Sequence, residues 1–428
     1  MTLTTKKIDI HAARLCQAIA RIGYEPQTAL LDIIDNAVTA TASEIKISLF
    51  LLAGKTLKNR NSVSKYQVID NGVGMTDDEI TNAFSLGANG KYKAHSLSKY
   101  GMGLKSAGLS LGSRINIISK KKGTLSTRQT FDIDFIEKED EFIVMVAALS
   151  TADEIYYNAL LPGESGTVVE IDGCEKINHQ SPGTTVRKLE DTMGVIYANF
   201  LSNTQRPLGI FIRVCAGDEP AFKKIAPLDM LFLKGPKPAK AWDPETYDYV
   251  SPYLLFDDDW KPELPDGKAI APIRIVAVAF PQDSLGKANS PHPPELQKII
   301  KEYKVSRDNA GCFIYRNQRL IQWGANLGFL GKDEFNIRIR MDLTEEHDDV
   351  LHVDVLHVDV TKQRLEIDDE LLGRLKRILD DPRATAKLIM KKCSEFMKTP
   401  TGNEGAAFTD MSANVAEDDP EEMVLATV

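Results

Sequence analysis

Three stretches of this chain set oxygen ligands or glycines at spacings that could do chemistry. In Leu30-Leu31-Asp32-Ile33-Ile34-Asp35-Asn36-Ala37-Val38-Thr39-Ala40, two carboxylates, an amide and a hydroxyl interrupt an apolar run. At about 100° per residue on a helix, Asp32, Asp35, Asn36 and Thr39 fall within one narrow arc. Such an arc is either the solvated stripe of an amphipathic surface helix or a row of oxygen ligands facing a pocket. In Asp70-Asn71-Gly72-Val73-Gly74-Met75 an aspartate follows a strand-like segment, and the glycines allow tight turns against a ligand. Turn chemistry alone selects the same residues. In Tyr100-Gly101-Met102-Gly103-Leu104-Lys105-Ser106 two glycines open a helix after a flexible segment, where bare N–H groups and a helix N-terminus can hold phosphates. The spacing is neither that of a Gly-Lys-Ser/Thr P-loop nor that of a dinucleotide fingerprint, which needs a third glycine.

These residues need elements to position them. Helical periodicity covers 9–21 and, with Pro26 suited to a first turn, 26–41. Strand patterns occupy 44–52 and 66–69, and Thr76 with Glu79 reads as a capping box opening a helix to Phe84. A helix over 104–111 precedes strands at 114–119, 126–135, 141–147 and 167–171, then a helix at 186–201. Helices and strands in this order, with few βαβ units, predict an α+β fold with helices on one face of a mixed sheet. A second set of strands is expected at 209–214, 273–280, 312–315 and 336–341, with helices near 295–303, 368–379 and 383–398. The resulting division is a first domain over 1–205, a second over 206–365 with an insertion loop at 226–268, C-terminal helices over 366–398, and a solvated acidic tail over 399–428.

At 428 residues, with 43% hydrophobic and 26% charged side chains, the composition is that of a soluble globular protein of about two domains. The longest apolar runs are strand-sized, and no apolar core follows Lys6 and Lys7, so neither a membrane span nor a signal peptide is predicted. A cytoplasmic location is the expectation. Five scattered cysteines without a Cys-x-x-Cys pair signal neither a disulfide framework nor a zinc site. The net charge of −9 argues against a surface that coats nucleic acid, although Lys120-Lys121-Lys122 is a local basic run.

Taken in order, the Asp/Asn helix, the Asp-Asn-Gly-Val-Gly turn, the glycine loop into a helix and Gly166-Thr167-Val168-Val169-Glu170-Ile171 resemble the Bergerat-fold ATPases of the GHKL superfamily: gyrase, the heat-shock chaperone, histidine kinases and MutL. The resemblance implies that the first domain is a Bergerat sandwich binding ATP and Mg²⁺. It implies Asn36 as the Mg²⁺ ligand and Asp32, where hydrolytic members carry glutamate, as the general base. The missing methylene sets that carboxylate about 1 Å short and implies slow hydrolysis. Asp35, by contrast, is read as a surface residue. By the same resemblance Asp70 accepts a hydrogen bond from the adenine amine, with Thr167 as its partner through water. Gly72 and Gly74 admit the base, Met75 lines the pocket, and Gly101, Met102, Gly103 and Leu104 present backbone N–H groups to the phosphates. Residues 87–100 become the ATP lid, with Lys91 as a phosphate contact.

Farther on, Tyr315-Arg316-Asn317-Gln318-Arg319-Leu320-Ile321 resembles the hairpin of the S5-like transducer domain of gyrase, MutL and the microrchidia (MORC) ATPases. Asp359-Val360-Thr361-Lys362-Gln363-Arg364 is similar to the loop that sends a lysine to the γ-phosphate, which makes Lys362 the candidate. Just before it, Leu-His-Val-Asp-Val occurs twice over 351–360; a five-residue repeat inverts face parity in a strand, so His352, Asp354, His357 and Asp359 are not expected to share a metal. The implied function is an ATP-gated dimeric clamp, with DNA as its cargo on branch resemblance together with the basic run near Arg114 to Arg128. The alternative is a chaperone-like or signalling switch that regulates a protein partner.

Overall fold

Alternation of apolar side chains builds two sheets. The computed structural model describes residues 11–20, 24–85, 103–262, 270–331, 333–348 and 369–398. Expectations placed on Lys91, Gly101, Met102 and Lys362, on the lid, on the 351–360 repeat and on the acidic tail lie outside these residues. The first sheet comprises β1 (Glu44–Leu51), β2 (Val63–Asp70), β3 (Arg114–Lys121), β4 (Thr124–Leu125), β5 (Arg128–Asp132), β6 (Met145–Ala147), β7 (Gly166–Asp172), β8 (Gly209–Cys215) and β9 (Lys223–Lys224). Its order is β6-β5-β3-β7-β2-β1-β8-β9, with β4 paired to β3. The β1–β8 pair is parallel and the others antiparallel, so the sheet is mixed.

Helices α1 (Ala12–Ala20), α2 (Pro26–Thr39), α3 (Asp77–Phe84) and α4 (Gly103–Leu111) precede β3 or lie between the early strands, and α5 (Ile133–Glu139), α6 (Thr151–Leu160), α7 (Pro182–Ile196) and α8 (Ala198–Leu201) follow. Ile45, Ile47, Leu49, Tyr66, Val68, Ile115, Ile117 and Ile171 point to the face where α1, α2, α4 and α7 bury Cys16, Leu30, Leu31, Ile34, Ala107 and Leu189. On the opposite face Ile69, Ile118 and Val168 meet Tyr157 and Leu161, at the end of α6. Helices packed on a mixed sheet give the α+β sandwich expected from the sequence.

The second sheet joins β10 (Lys237–Pro238), β11 (Tyr253–Trp260), β12 (Ile273–Ala279), β13 (Gly311–Arg316), β14 (Arg319–Ala325) and β15 (Ile337–Leu343) in the order β10-β11-β12-β15-β13-β14. Helices α9 (Pro294–Glu302), α10 (Asp369–Ile378) and α11 (Asp380–Phe396) belong to this half. Period two decides what each face covers. Ile273, Ile275, Ala277 and Ala279 pack with Leu371, Leu375, Ala386 and Ile389 of α10 and α11. Val276, Val278 and Phe280 turn the other way, into the core that holds α2. The two sheets therefore share one hydrophobic core. Among the described residues no helix is long and apolar enough to cross a membrane.

Several local expectations are corrected. Of the two readings of α2, the amphipathic surface helix with a wet stripe is the one set aside, because every residue from Pro26 to Asp35 is buried. The strand expected over 126–135 stops at Asp132, whose Oδ1 accepts from Asp134 and Phe135 N–H groups and caps α5. Residues 209–214, read as the first strand of the second set, pair in parallel with β1 in the first sheet. The stretch read as an insertion loop carries β11, whose Asp257, Asp258 and Asp259 obscure the apolar alternation.

Arg338 on β15 shows how the second half is held together. Its side chain is almost fully buried and donates to the Asn309 carbonyl at 2.6 Å, to Tyr303 at 2.5 Å, to Lys304 at 2.9 Å and to the Met230 carbonyl, while its guanidinium lies 4.5 Å from the Phe280 ring centre. Burial lowers its pKa to about 9, against the opposing pull of the Asp229 charge, while the carbonyls accept its N–H groups. Arg338→Met would strand those carbonyls, at roughly 1–3 kcal/mol for each that finds no other donor. A urea midpoint corresponding to a loss of about 2–4 kcal/mol is expected; an unshifted midpoint would show that these bonds are dispensable.

Candidate functional site

The site grows from the packing of α2 against α4. Asp32 is buried on α2, and a Cβ built on Gly103, the first residue of α4, would lie 3.9 Å from its Oδ2. The carboxylate thus faces the N-terminal turn in which sequence placed the phosphate donors Gly103 and Leu104, both half-buried. Tyr24, just before α2, has its hydroxyl beside both Asp32 and Ser106, so it spans the two helices. One turn beyond Asp32, the half-buried Asn36 lies on the same side of α2. Burial, followed by the nearby Asp35 charge, raises the Asp32 pKa well above the usual carboxylate range, against the opposing pull of Arg319 and of the neighbouring Tyr24 hydroxyl. A carboxylate so placed suits proton acceptance.

Strand ends supply the second part. Asp70 closes β2 directly opposite Thr167 on β7, so the cross-strand register brings together two residues predicted to act as a pair. Asp70 Oδ1 accepts the Gly72 N–H at 2.8 Å. Burial pushes the Asp70 carboxyl up to about 6 despite that bond. Gly72 is required here, since a Cβ would fall 2.7 Å from the Ala40 carbonyl oxygen and 2.8 Å from Asp70 Oδ1, on top of the carboxylate. Gly74 has φ +64°, and a Cβ there would collide with the Lys120 carbonyl oxygen at 1.9 Å. The half-buried Met75 packs against the core, and its N–H donates to Ser119 Oγ at 2.8 Å. Ser119 Oγ also donates to the Gly166 carbonyl at 2.8 Å and lies 3.0 Å from Thr167 Oγ1, tying the turn to β7.

The structure brings Asp32, Asn36, Gly103 and Leu104 together around the α2–α4 contact, and Asp70, Gly72, Gly74, Met75 and Thr167 around the strand ends. Asp35 departs from its reading as a surface residue. It is buried on α2, where its Oδ1 accepts from Arg319 Nε at 2.7 Å and from the Tyr197 hydroxyl at 2.7 Å. Sequence reasoning also missed Tyr24, Ser119 and Lys105. Lys105 Nζ, inside the glycine motif, is buried and donates to the Ala83 and Ser85 carbonyls at 2.9 Å each, fastening α4 to the end of α3. Burial lowers its pKa to about 8. The capping signal of α3 was visible in Thr76 and Glu79; nothing in the local sequence announced the lysine's direction.

Residues 24–167 match the family described as histidine kinase-, DNA gyrase B-, and HSP90-like ATPase. Over 101 residues the chain is 28% identical to the ATPase morc-1 of Caenorhabditis elegans, covering 24% of this chain and 11% of that protein. The chain thus spans about a tenth of the length of that curated relative. The matched segment contains α2, the Asp70 turn, α4 and the start of β7. The N-terminal part of this chain is thus similar to the ATPase domains of the GHKL superfamily, with likeness to a MORC protein.

Proposed function

We propose that the chain is a Mg²⁺-dependent ATPase that hydrolyses ATP slowly and uses the nucleotide to close a dimeric clamp. The observation that carries this reading is the Asp32 carboxylate facing the first turn of α4 across the space that glycine leaves at position 103. In the proposed arrangement the adenine amine donates to Asp70, with Thr167 beside it, and the bare face of Gly72 lets the base reach the carboxylate. Gly103 and Leu104, with Gly101 and Met102, offer N–H groups to the phosphates, and Lys91 and Lys362 add charge. Asn36 would hold Mg²⁺ through its amide oxygen, and the cation, when bound, offsets phosphate charge. Asp32 accepts a proton from the attacking water as its oxygen bonds to the terminal phosphorus and the bond to ADP breaks. The second sheet serves as the transducer, following the domain division proposed above. Cytoplasmic residence is part of the same proposal, and five buried free thiols suit a reducing compartment.

DNA is the proposed cargo on likeness to the MORC branch. The net charge of −9 favours a second reading, a switch that regulates a protein partner. Duplex DNA that stimulates turnover or binds with steep salt dependence supports the first, and indifference at low salt supports the second.

Four measurements test the proposal. Asp32→Asn should abolish phosphate release, and Asp32→Glu should raise it about tenfold or more by restoring reach; unchanged turnover in the Asn variant would remove Asp32 as the base. Asp70→Asn should weaken ATP binding at least about tenfold. Because folding raises the Asp70 pKa from 3.8 to about 6, its ionisation destabilises the native state, a penalty that grows as pH rises through that interval and is complete above it. The Asn variant should therefore be more stable by up to about 3 kcal/mol at pH 8, with the gain gone below about pH 4. A variant that binds ATP normally, or is destabilised at pH 8, contradicts the assignment. Finally, light scattering with Mg²⁺ and a non-hydrolysable ATP analogue should show a monomer becoming a dimer; an unchanged mass with analogue bound would remove the clamp and leave the switch.

A further inference from the structure

The turn between β13 and β14 is a two-residue connection, Asn317-Gln318, with φ +48° and +72°, flanked by the paired residues Arg316 and Arg319. Both turn residues are clamped. Asn317 N–H donates to the Leu343 carbonyl at 2.9 Å, and the Gln318 carbonyl accepts from Asn199 Nδ2 at 2.8 Å. Arg316 forms a buried two-pronged pair with Asp348, with both bonds at 2.7 Å. From this fixed tip Arg319 reaches out of the second sheet to Asp35 on α2, with each side chain only 5% exposed. Tyr197 closes the arrangement: its hydroxyl lies 2.7 Å from Asp35 Oδ1 and 3.1 Å from the Leu31 carbonyl oxygen, and its ring centre is 5.9 Å from the Arg319 guanidinium.

We propose that Arg319, with Tyr197, is a positioning residue for the ATP site, fixing through Asp35 the rotation of α2 about its own axis and so the direction in which Asp32 and Asn36 point. Asp35 stands between them in sequence, one turn after Asp32 and directly before Asn36. Side chains reach about 5–6 Å from a helix axis, so a rotation of about 10° moves a carboxylate about 1 Å. Displacement of that size costs a reaction about a hundredfold. A hydrophobic pair would fill the same volume with no desolvation cost, so a buried ion pair is a poor device for stability alone and a good one for fixing a register. The inference rests on the ATPase reading above.

The test uses the full chain in four forms: unaltered, Arg319→Met, Asp35→Asn, and the double variant, which leaves no uncompensated charge. Melting temperature, analogue affinity, turnover, and deuterium exchange of residues 26–39 and 311–325 with and without analogue are read on each. In the unaltered chain, analogue should slow exchange in both segments. In the double variant, stability should return while turnover stays about a hundredfold down, analogue affinity stays within about threefold, and the 311–325 segment no longer responds. A double variant that regains turnover together with stability, or whose hairpin still responds, overturns the proposal and leaves the pair a structural one. Analogue bound by the unaltered chain with no hairpin response overturns it as well. Failure of the unaltered chain to bind analogue at all removes the ATPase reading, and this one with it.

Discussion

A carboxylate in the middle of a buried helix must be answered by a donor, and Asp35 is answered by Arg319 and Tyr197. Left alone in that position it would carry the full desolvation penalty of an ionised group. Burial pushes its pKa upward, and the guanidinium opposes that push while being itself held protonated by the carboxylate. Because Asp35 lies on a helix packed on the first sheet and Arg319 on a strand of the second, the requirement constrains more than a side chain. Helix α2 can sit as it does only while β14 stands behind it. The shared core enforces the same juxtaposition over a wider area.

With α2 fixed on that side, its other side is free to face α4. The two helices are bridged by Tyr24, and α4 is fastened at its first turn by Lys105 to the end of α3. The strand-end group around Asp70 is built differently, from backbone register and one hydroxyl. Ser119 ties the turn to β7, and the glycines exist because any Cβ would occupy either the backbone or the face of the carboxylate. One part of the site is therefore set by helix packing and the other by the pleat of the sheet.

How legible each part was follows from this difference. The capping box of α3 lay within four residues, so a local rule reached it, whereas the Asp70–Thr167 pairing joins distant strands and was implied by the family resemblance alone. Helix α2 was visible as a helix, but its burial was not. Asp35 and Arg319 are 284 residues apart, and only the partner distinguishes a buried acid from a surface one. Helix α6 went unread although its Ser150–Asp153 capping box was present, because no apolar stripe accompanied it: Ile155 is exposed and only Tyr157 is buried. Strand β8 looked like the start of a new unit because its parallel pairing with β1 is a long-range fact with no turn to signal it.

The shorter acid at position 32 acquires its meaning from the rigidity around it. A glutamate could reach one methylene farther; an aspartate can recover that distance only if the helix moves. Arg319 and Tyr197 hold α2 on one side and Tyr24 holds Asp32 against α4 on the other, so the backbone has little room to compensate. In the proposed mechanism the chemical step is then slow for a geometric reason, while binding, which depends on the Asp70 turn and the α4 N–H groups, is untouched by it. A nucleotide held longer than it takes to bind keeps the protein in one state for a defined interval. That division suits a device in which ATP sets how long a conformation lasts, whether the conformation encloses DNA or presents a surface to a protein.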